Sequence, residues 1–296
     1  MEIKLDALPP FSLSAVVGSH GWVRLAPFNS DDHFSWFSYV AQLETSRILE
    51  LLVQESPGGV QVSTEVDASA AEYEECGEMI RWMLGLEQDF STFYALASAE
   101  PKLSKISDKA QGRLLRCPTL FEDVVKTIMT TNTSWAGTIR MAQRLVAEFG
   151  EPLPSDPTRR AFPTPTQLAK VEEAALREAA GLGYRAPYVA ELARSIADGV
   201  LDLEALRTTD LPTSELRKQL LAIKGVGAYA AANLLMILGR YDYVPVDSWA
   251  LKMVSQEWHH GAPVGQAEVE AAFERWGDWK GLAYWFWDWS MSGADQ

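Results

Sequence analysis

The 296 residues are 47% hydrophobic and carry a formal net charge of −14, enough apolar material for one large core or two smaller ones. The opening MEIKLDALPPFSL holds no apolar run of signal-peptide length, and no stretch approaches eighteen uncharged apolar residues. Neither a secretory leader nor a membrane span is expected, and the chain reads as cytoplasmic. Cys76 and Cys117 are the only cysteines, too few for a disulfide framework or a four-cysteine cluster, and His259 and His260 are adjacent rather than four apart. Side chains are therefore expected to hold no metal.

The acid is unevenly spread. Residues 1–100 contain 4 Lys/Arg against 16 Asp/Glu, and residues 101–296 contain 22 against 24. A polyanionic partner would have to be met by the near-neutral remainder. In chain order, residues 12–17, 22–27 and 60–66 have the β-branched, aromatic or alternating character of strands, with turn signals at 18–21 and 57–59. A helical pattern follows over 70–86. Lys102, Lys105, Lys109, Arg113 and Arg116 then form a basic run that reads as a solvated face, or one that flanks a polyanion. Pro118 opens a helix carrying Leu120, Phe121, Val124, Val125 and Ile128 inward, and a second helix spans 135–149. Residues 152–165 form a proline-rich connector, after which Thr164-Pro165 caps a helix ending at Gly181.

The most organised stretch is Leu220 to Val254. A helix capped by Thr213 or Ser214 carries Leu216, Leu220 and Ile223 at helical spacing. Gly225 and Gly227 bracket Val226, which suits a turn needing positive φ and close approach of a ligand. Residues 228–238 are small or apolar and read as a buried helix whose positive N-terminal end suits a phosphate. Val244-Pro245-Val246-Asp247 follows, with Asp247 as the cap of a helix beginning at Ser248. The tail packs five of the chain's eleven tryptophans into residues 276–289.

Lys224-Gly225-Val226-Gly227 followed by Val244-Pro245-Val246-Asp247 resembles the signature of the helix-hairpin-helix (HhH-GPD) DNA glycosylase superfamily. The resemblance implies an α+β, mainly α fold. An antiparallel sheet domain over 1–100 is expected, then an all-helical core over 101–296 with two lobes and a DNA cleft and base pocket between them. It assigns catalysis to Asp247 and grip on the DNA backbone to Lys224, Gly225, Val226, Gly227 and Ala228. Members that also cut the strand place a Schiff-base lysine two residues beyond the second hairpin glycine, and here that place is Tyr229. A monofunctional enzyme is implied.

Thr131-Asn132 and residues 181–189 resemble the corresponding segments of 8-oxoguanine DNA glycosylases. That likeness gives Asn132 the gap-filling role, Tyr184 the wedge and Arg185 contact with the orphaned base. Asn132 also reads as a helix cap and Tyr184 as core packing. Other positions depart from the oxidised-guanine pattern: Asn233 stands for a cysteine, Tyr284 and Asp288 for a glutamine and a phenylalanine, and Gly137 for a second arginine. The pocket is thus expected to be rebuilt, with Tyr229, Asn233, Trp249, Tyr284, Trp285 and Asp288 as candidates to line it. An indole-rich pocket with one carboxylate suits a cationic alkylated purine such as 3-methyladenine. The alternatives are an oxidised-purine glycosylase and a non-catalytic module that binds damaged DNA. No cofactor is expected beyond a monovalent cation that the hairpin carbonyls could hold. The partner implied is double-stranded DNA containing a damaged base, met by a monomer, nucleoid-associated if bacterial.

Overall fold

The computed structural model describes residues 2–289. The chain forms two compact units: residues 2–88 with 113–209, and residues 89–112 with 210–289. The division follows tertiary contact rather than a cut at residue 100, since a helical excursion over 89–112 belongs with the C-terminal part. Among the described residues, no helix is long and apolar enough to cross a membrane.

The first unit begins with a five-stranded antiparallel sheet, β1 (Glu2–Asp6), β2 (Phe28–Ser30), β3 (Trp36–Gln42), β4 (Ile48–Ser56) and β5 (Gly59–Ser63), in the order β1-β5-β4-β3-β2. Phe37, Tyr39 and Ala41 pair with Val53, Leu51 and Leu49 and bury one face; the period-2 alternation then sends Ser38 and Glu50 to the other. Gly59 is required by proximity, because a Cβ there would meet the Leu5 carbonyl at 2.0 Å.

Two expected strands are not strands. Leu13–Val17 is a helix, capped by the Ser12 side chain accepting from Ala15 N, with Leu13, Val16 and Val17 buried. Gly21–Arg24 is a single 3-10 turn burying Trp22 and Val23. Ala70–Leu84 is helical as expected, with a capping box between Ser69 and Glu72 and a left-handed Gly85 at its end.

The basic run is not a solvated face. Arg113 is buried, and its guanidinium donates to the carbonyls of Gly85 (2.9 Å), Pro10 (2.8 Å), Leu8 (2.6 Å) and Gln88 (2.9 Å). Arg116 is buried over the Trp82 ring at 4.3 Å. Lys102 pairs with Glu257 at 3.1 Å within the second unit. Only Lys105 and Lys109 stay exposed.

The helix after Pro118 spans Leu120–Thr130, and Thr119 rather than the proline caps it. It carries a buried polar network: Lys126 pairs with Glu122 at 2.6 Å, and Tyr39 Oη donates to Glu122 at 2.6 Å. Trp22 Nε1 and Cys117 N donate to Asp123 at 2.7 and 3.1 Å. Burial pushes the Asp123 carboxyl up to about 7. The helix predicted to run to Gly181 is broken into Pro165–Leu168 and Glu173–Glu178.

In the second unit, Thr213–Ala222 and Ala228–Ile237 form the hairpin helices, followed by Ser248–Trp258, Gln266–Phe273 and Lys280–Trp285. The first of these begins where expected, but it follows Pro212 and has no side-chain cap. Residues Ala230, Ala231, Ala232 and Leu234 to Ile237 are buried, so the second hairpin helix is a core element. Most of the tryptophan tail is packing: Trp279 stacks on Phe93 (5.6 Å) and Tyr241 (5.5 Å), and Trp287 contacts Trp258, Phe273 and Trp276 at 5.0 to 5.6 Å. The architecture is α+β and mainly helical, with the sheet at the N-terminal end.

Candidate active site

Asp247 stands in extended backbone immediately before the Ser248–Trp258 helix, and its Oδ1 accepts from Ala250 N at 2.8 Å. This is an N-cap, which satisfies one of the helix's unpaired amides and fixes the carboxylate's direction. The same Oδ1 accepts from Tyr284 Oη at 3.3 Å. Among the described residues Oδ2 has no hydrogen-bond partner, and the side chain is only partly covered.

The phenol is delivered by a close helix contact. Gly281 N donates to Tyr241 O at 2.7 Å, and a Cβ at 281 would meet the carbonyls of Tyr243 and Tyr241 at 2.6 and 2.8 Å. Only glycine lets the Lys280–Trp285 helix press onto the segment that leads into Asp247. Tyr284, one turn later, then reaches the carboxylate. Burial, reinforced by the Asp247 charge, holds the Tyr284 hydroxyl far above the ordinary phenol range, so it donates as a neutral group. Tyr229 is raised for the same two reasons, and Asn233 Nδ2 donates to its carbonyl at 3.0 Å. Trp249 is 55% exposed and meets Trp289 edge-on at 4.3 Å. Tyr284 contacts Trp285 at 6.5 Å, and Trp285 and Asp288 are both partly covered. Of the candidate lining residues, Tyr284 and Tyr229 are the two whose ionisation feels Asp247.

The hairpin has one left-handed glycine, not two. Gly225 has φ +88, whereas Gly227 has φ −90. Val226 is buried and ties back through its amide to Ile223 O at 3.0 Å, while Lys224, Gly227 and Ala228 are exposed. A Cβ on Gly227 would meet nothing within 4 Å, so the chain's own packing does not demand glycine there. The Ala228–Ile237 helix has no side-chain cap, which leaves its first amides open to an anion.

Asn132, Tyr184 and Arg185 come together in the first unit. Asn132 is exposed at φ +47, a conformation asparagine tolerates better than most residues. The cap of the following helix is Ser134, which removes the capping account of Asn132. Asn132 Nδ2 donates to Tyr184 Oη at 3.4 Å, and Tyr184 Oη donates to Thr131 O at 3.3 Å. Tyr184 is 47% exposed, so it is not core packing. Arg185 is buried behind it, its guanidinium 4.4 Å from the tyrosine ring, and donates to Thr131 O. Its visible work is to brace the loop and ring from within. Sequence reasoning passed over Arg140 and Arg144, which line a cavity with Arg185. Their i,i+4 spacing was the available signal.

Among the described residues, no group of three or more His, Cys, Asp or Glu side chains could hold a metal ion.

A hairpin with an exposed, uncapped helix start and a cap aspartate twenty residues beyond it define a recognised class. The family described as HhH-GPD superfamily base excision DNA repair protein matches residues 125–278, more than half of the chain, and the chain belongs to that family. It is 27% identical to a probable N-glycosylase/DNA lyase of Methanothermobacter thermautotrophicus, over 60% of this chain and 62% of that protein. It is 26% identical to a DNA-3-methyladenine glycosylase of Bacillus subtilis, over 60% and 59%. The chain thus spans about three-fifths of the length of these relatives. A 3-methyladenine DNA glycosylase from Archaeoglobus fulgidus shares the fold, with a TM-score of 0.75 at 22% identity over 97% of each chain.

Proposed function

We propose that this protein is a monofunctional DNA glycosylase that removes alkylated purines of the 3-methyladenine type from duplex DNA. The observation that carries this reading is the state of Asp247. Among the described residues, both hydrogen bonds of its side chain fall on Oδ1 and none on Oδ2. A carboxylate oriented through one oxygen and free at the other can face the positive charge that develops on the sugar as the base departs, or take a proton from the attacking water. A cationic methylated purine is already a good leaving group, so a site with no evident general acid can release it. At the position of a strand-cutting lysine stands Tyr229, whose half-buried phenol has no amine with which to form an imine. The open amides of the hairpin would hold a backbone phosphate, and Asn132 with Tyr184 would occupy the gap in the stack. The hairpin carbonyls could also hold a monovalent cation. The enzyme would act as a monomer, in the nucleoid if its source is bacterial.

The test is a panel of duplexes, each with one lesion, incubated with protein and then treated with alkali to reveal base loss. Alkylated purines should give alkali-dependent breaks. Asp247→Asn should lower release about 10³-fold while affinity for abasic-site DNA persists; asparagine caps helices as well as aspartate, so the fold should be retained. Borohydride should trap no covalent adduct with the DNA. Release of 8-oxoguanine without methylpurine would overturn the lesion choice, and unchanged release by the variant would overturn the role of Asp247.

A further inference from the structure

A second basic feature lies apart from the hairpin, on the Trp135–Phe149 helix. Gly137, Arg140, Met141 and Arg144 recur at i, i+3, i+4 and i+7 and so share one helix face. With Thr133, Gly181 and Arg185 they line a cavity of about 200 Å³, and no carboxylate borders it. Arg140 and Arg144 are a like-charge i,i+4 pair, an arrangement that weakens a helix unless something neutralises it. Among the described residues neither makes an ion pair or a hydrogen bond. Arg185 is 6% exposed, and its Nε lacks a partner, an unsatisfied state that buried donors of charged groups rarely keep.

Backbone choices open the space. Gly137 offers no side chain, and a Cβ there would meet Thr133 Oγ1 at 2.4 Å. Gly181, at φ +70, lies beneath Arg144, whose Nη1 would stand 3.1 Å from a Cβ. The volume falls below the span of sites for drug-sized molecules, which run about 300–1,000 Å³, and suits a group of a few atoms. Three guanidinium donors, a threonine hydroxyl and no acid define an acceptor-rich anion.

We infer that this cavity is a seat for a phosphate group, with Arg140 and Arg144 as its outer donors and Arg185 as its floor. Resting on the glycosylase reading, the occupant is a phosphodiester of the DNA backbone. Thr133 and Arg185 directly follow Asn132 and Tyr184, so a duplex engaged by those two exposed side chains presents its backbone to the cavity. The contact fixes register and carries no sequence information.

The experiment compares wild type with the double variant Arg140→Ala, Arg144→Ala. Both arginines are exposed and alanine favours helix, so the variant keeps its fold. Affinity for an abasic-site duplex is measured against salt. The variant should bind about tenfold more weakly, and the slope of log affinity on log salt should fall by about 1. A second arm measures thermal stability in inorganic phosphate against chloride at equal ionic strength. Stabilisation of wild type alone would show that the seat accepts free phosphate as well; no phosphate effect beside the changed salt slope would assign it to the phosphodiester. Wild-type affinity and slope in the variant would overturn the inference. So would a loss that depends on the base opposite the lesion at unchanged slope, because the cavity would then read a base. Should wild type fail to bind abasic DNA, the glycosylase reading falls first, and the absence of a phosphate-specific difference in the second arm would then overturn the seat independently.

Discussion

The two units handle charge in opposite ways. Among the described residues, every buried charged side chain lies in the first unit: Glu72, Arg113, Arg116, Glu122, Asp123, Lys126 and Arg185. Most meet fixed partners, as Arg113 does in four carbonyls and Lys126 in Glu122. The second unit fills its interior with small aliphatic and aromatic residues. Its notable carboxylate, Asp247, is only partly covered and has no cation within ion-pairing distance among the described residues. The contrast teaches that most buried charge here is architecture. On the proposed reading, a carboxylate that faces a transient positive charge is better served by a cap amide and a neutral phenol than by a permanent cation.

The sharpest way to break this comparison is Lys126→Met. It strands the Glu122 carboxylate in the interior and should lower unfolding free energy by about 3–5 kcal/mol in urea titration. The folded remainder should release bases normally. Removing both charges, with Glu122→Gln added, should recover much of the loss. A cost below 1 kcal/mol for the single variant would mean that the ion pair is not structural.

A smaller effect concerns pH. Burial depresses the His20 imidazole from 6.5 to about 4, and its Nε2 lies 2.6 Å from Leu115 O. A group depressed on folding contributes stability that is full above pH 6.5 and is lost as pH falls towards 4. Asp123, raised to about 7, runs the other way and favours the fold as pH falls below 7. The difference between wild type and His20→Gln therefore isolates the histidine. Wild type should lose roughly 2 kcal/mol relative to the variant between pH 6.5 and 4; parallel curves would mean that His20 stays accessible to protons.

The smallest effect tests the second unit. Tyr284→Phe removes one long hydrogen bond to Oδ1 and should slow base release about fivefold, with affinity for abasic DNA unchanged. A loss as large as that of Asp247→Asn would make the phenol a participant rather than an orienting donor.

What could be read from the sequence was local. The hairpin, the cap role of Asp247 and the Trp135–Phe149 helix depend on neighbours a few residues apart, and caps and helical spacing record such relations. Residues 12–17 misled because β-branched valines suggest strand, yet Val16 and Val17 stand three and four residues from Leu13, which buries them along one helix face. Arg113 was illegible because its carbonyl acceptors lie 25 to 105 residues away. The same holds for Tyr284: its pairing with Asp247, across 37 residues, depends on a backbone contact that no periodicity announces. Nor does any pattern report that two arginines on an exposed face lack acids opposite them.

Gly281 gives that backbone contact a wider meaning. Because two carbonyls sit where its first carbon would be, a single methyl there acts as a spacer between the terminal helix and the strand of chain before Asp247. If the proposed function holds, such a variant should fold and bind DNA yet turn over poorly, its acid pointing a few degrees astray. Defects of this kind would escape any survey confined to residues that touch the lesion.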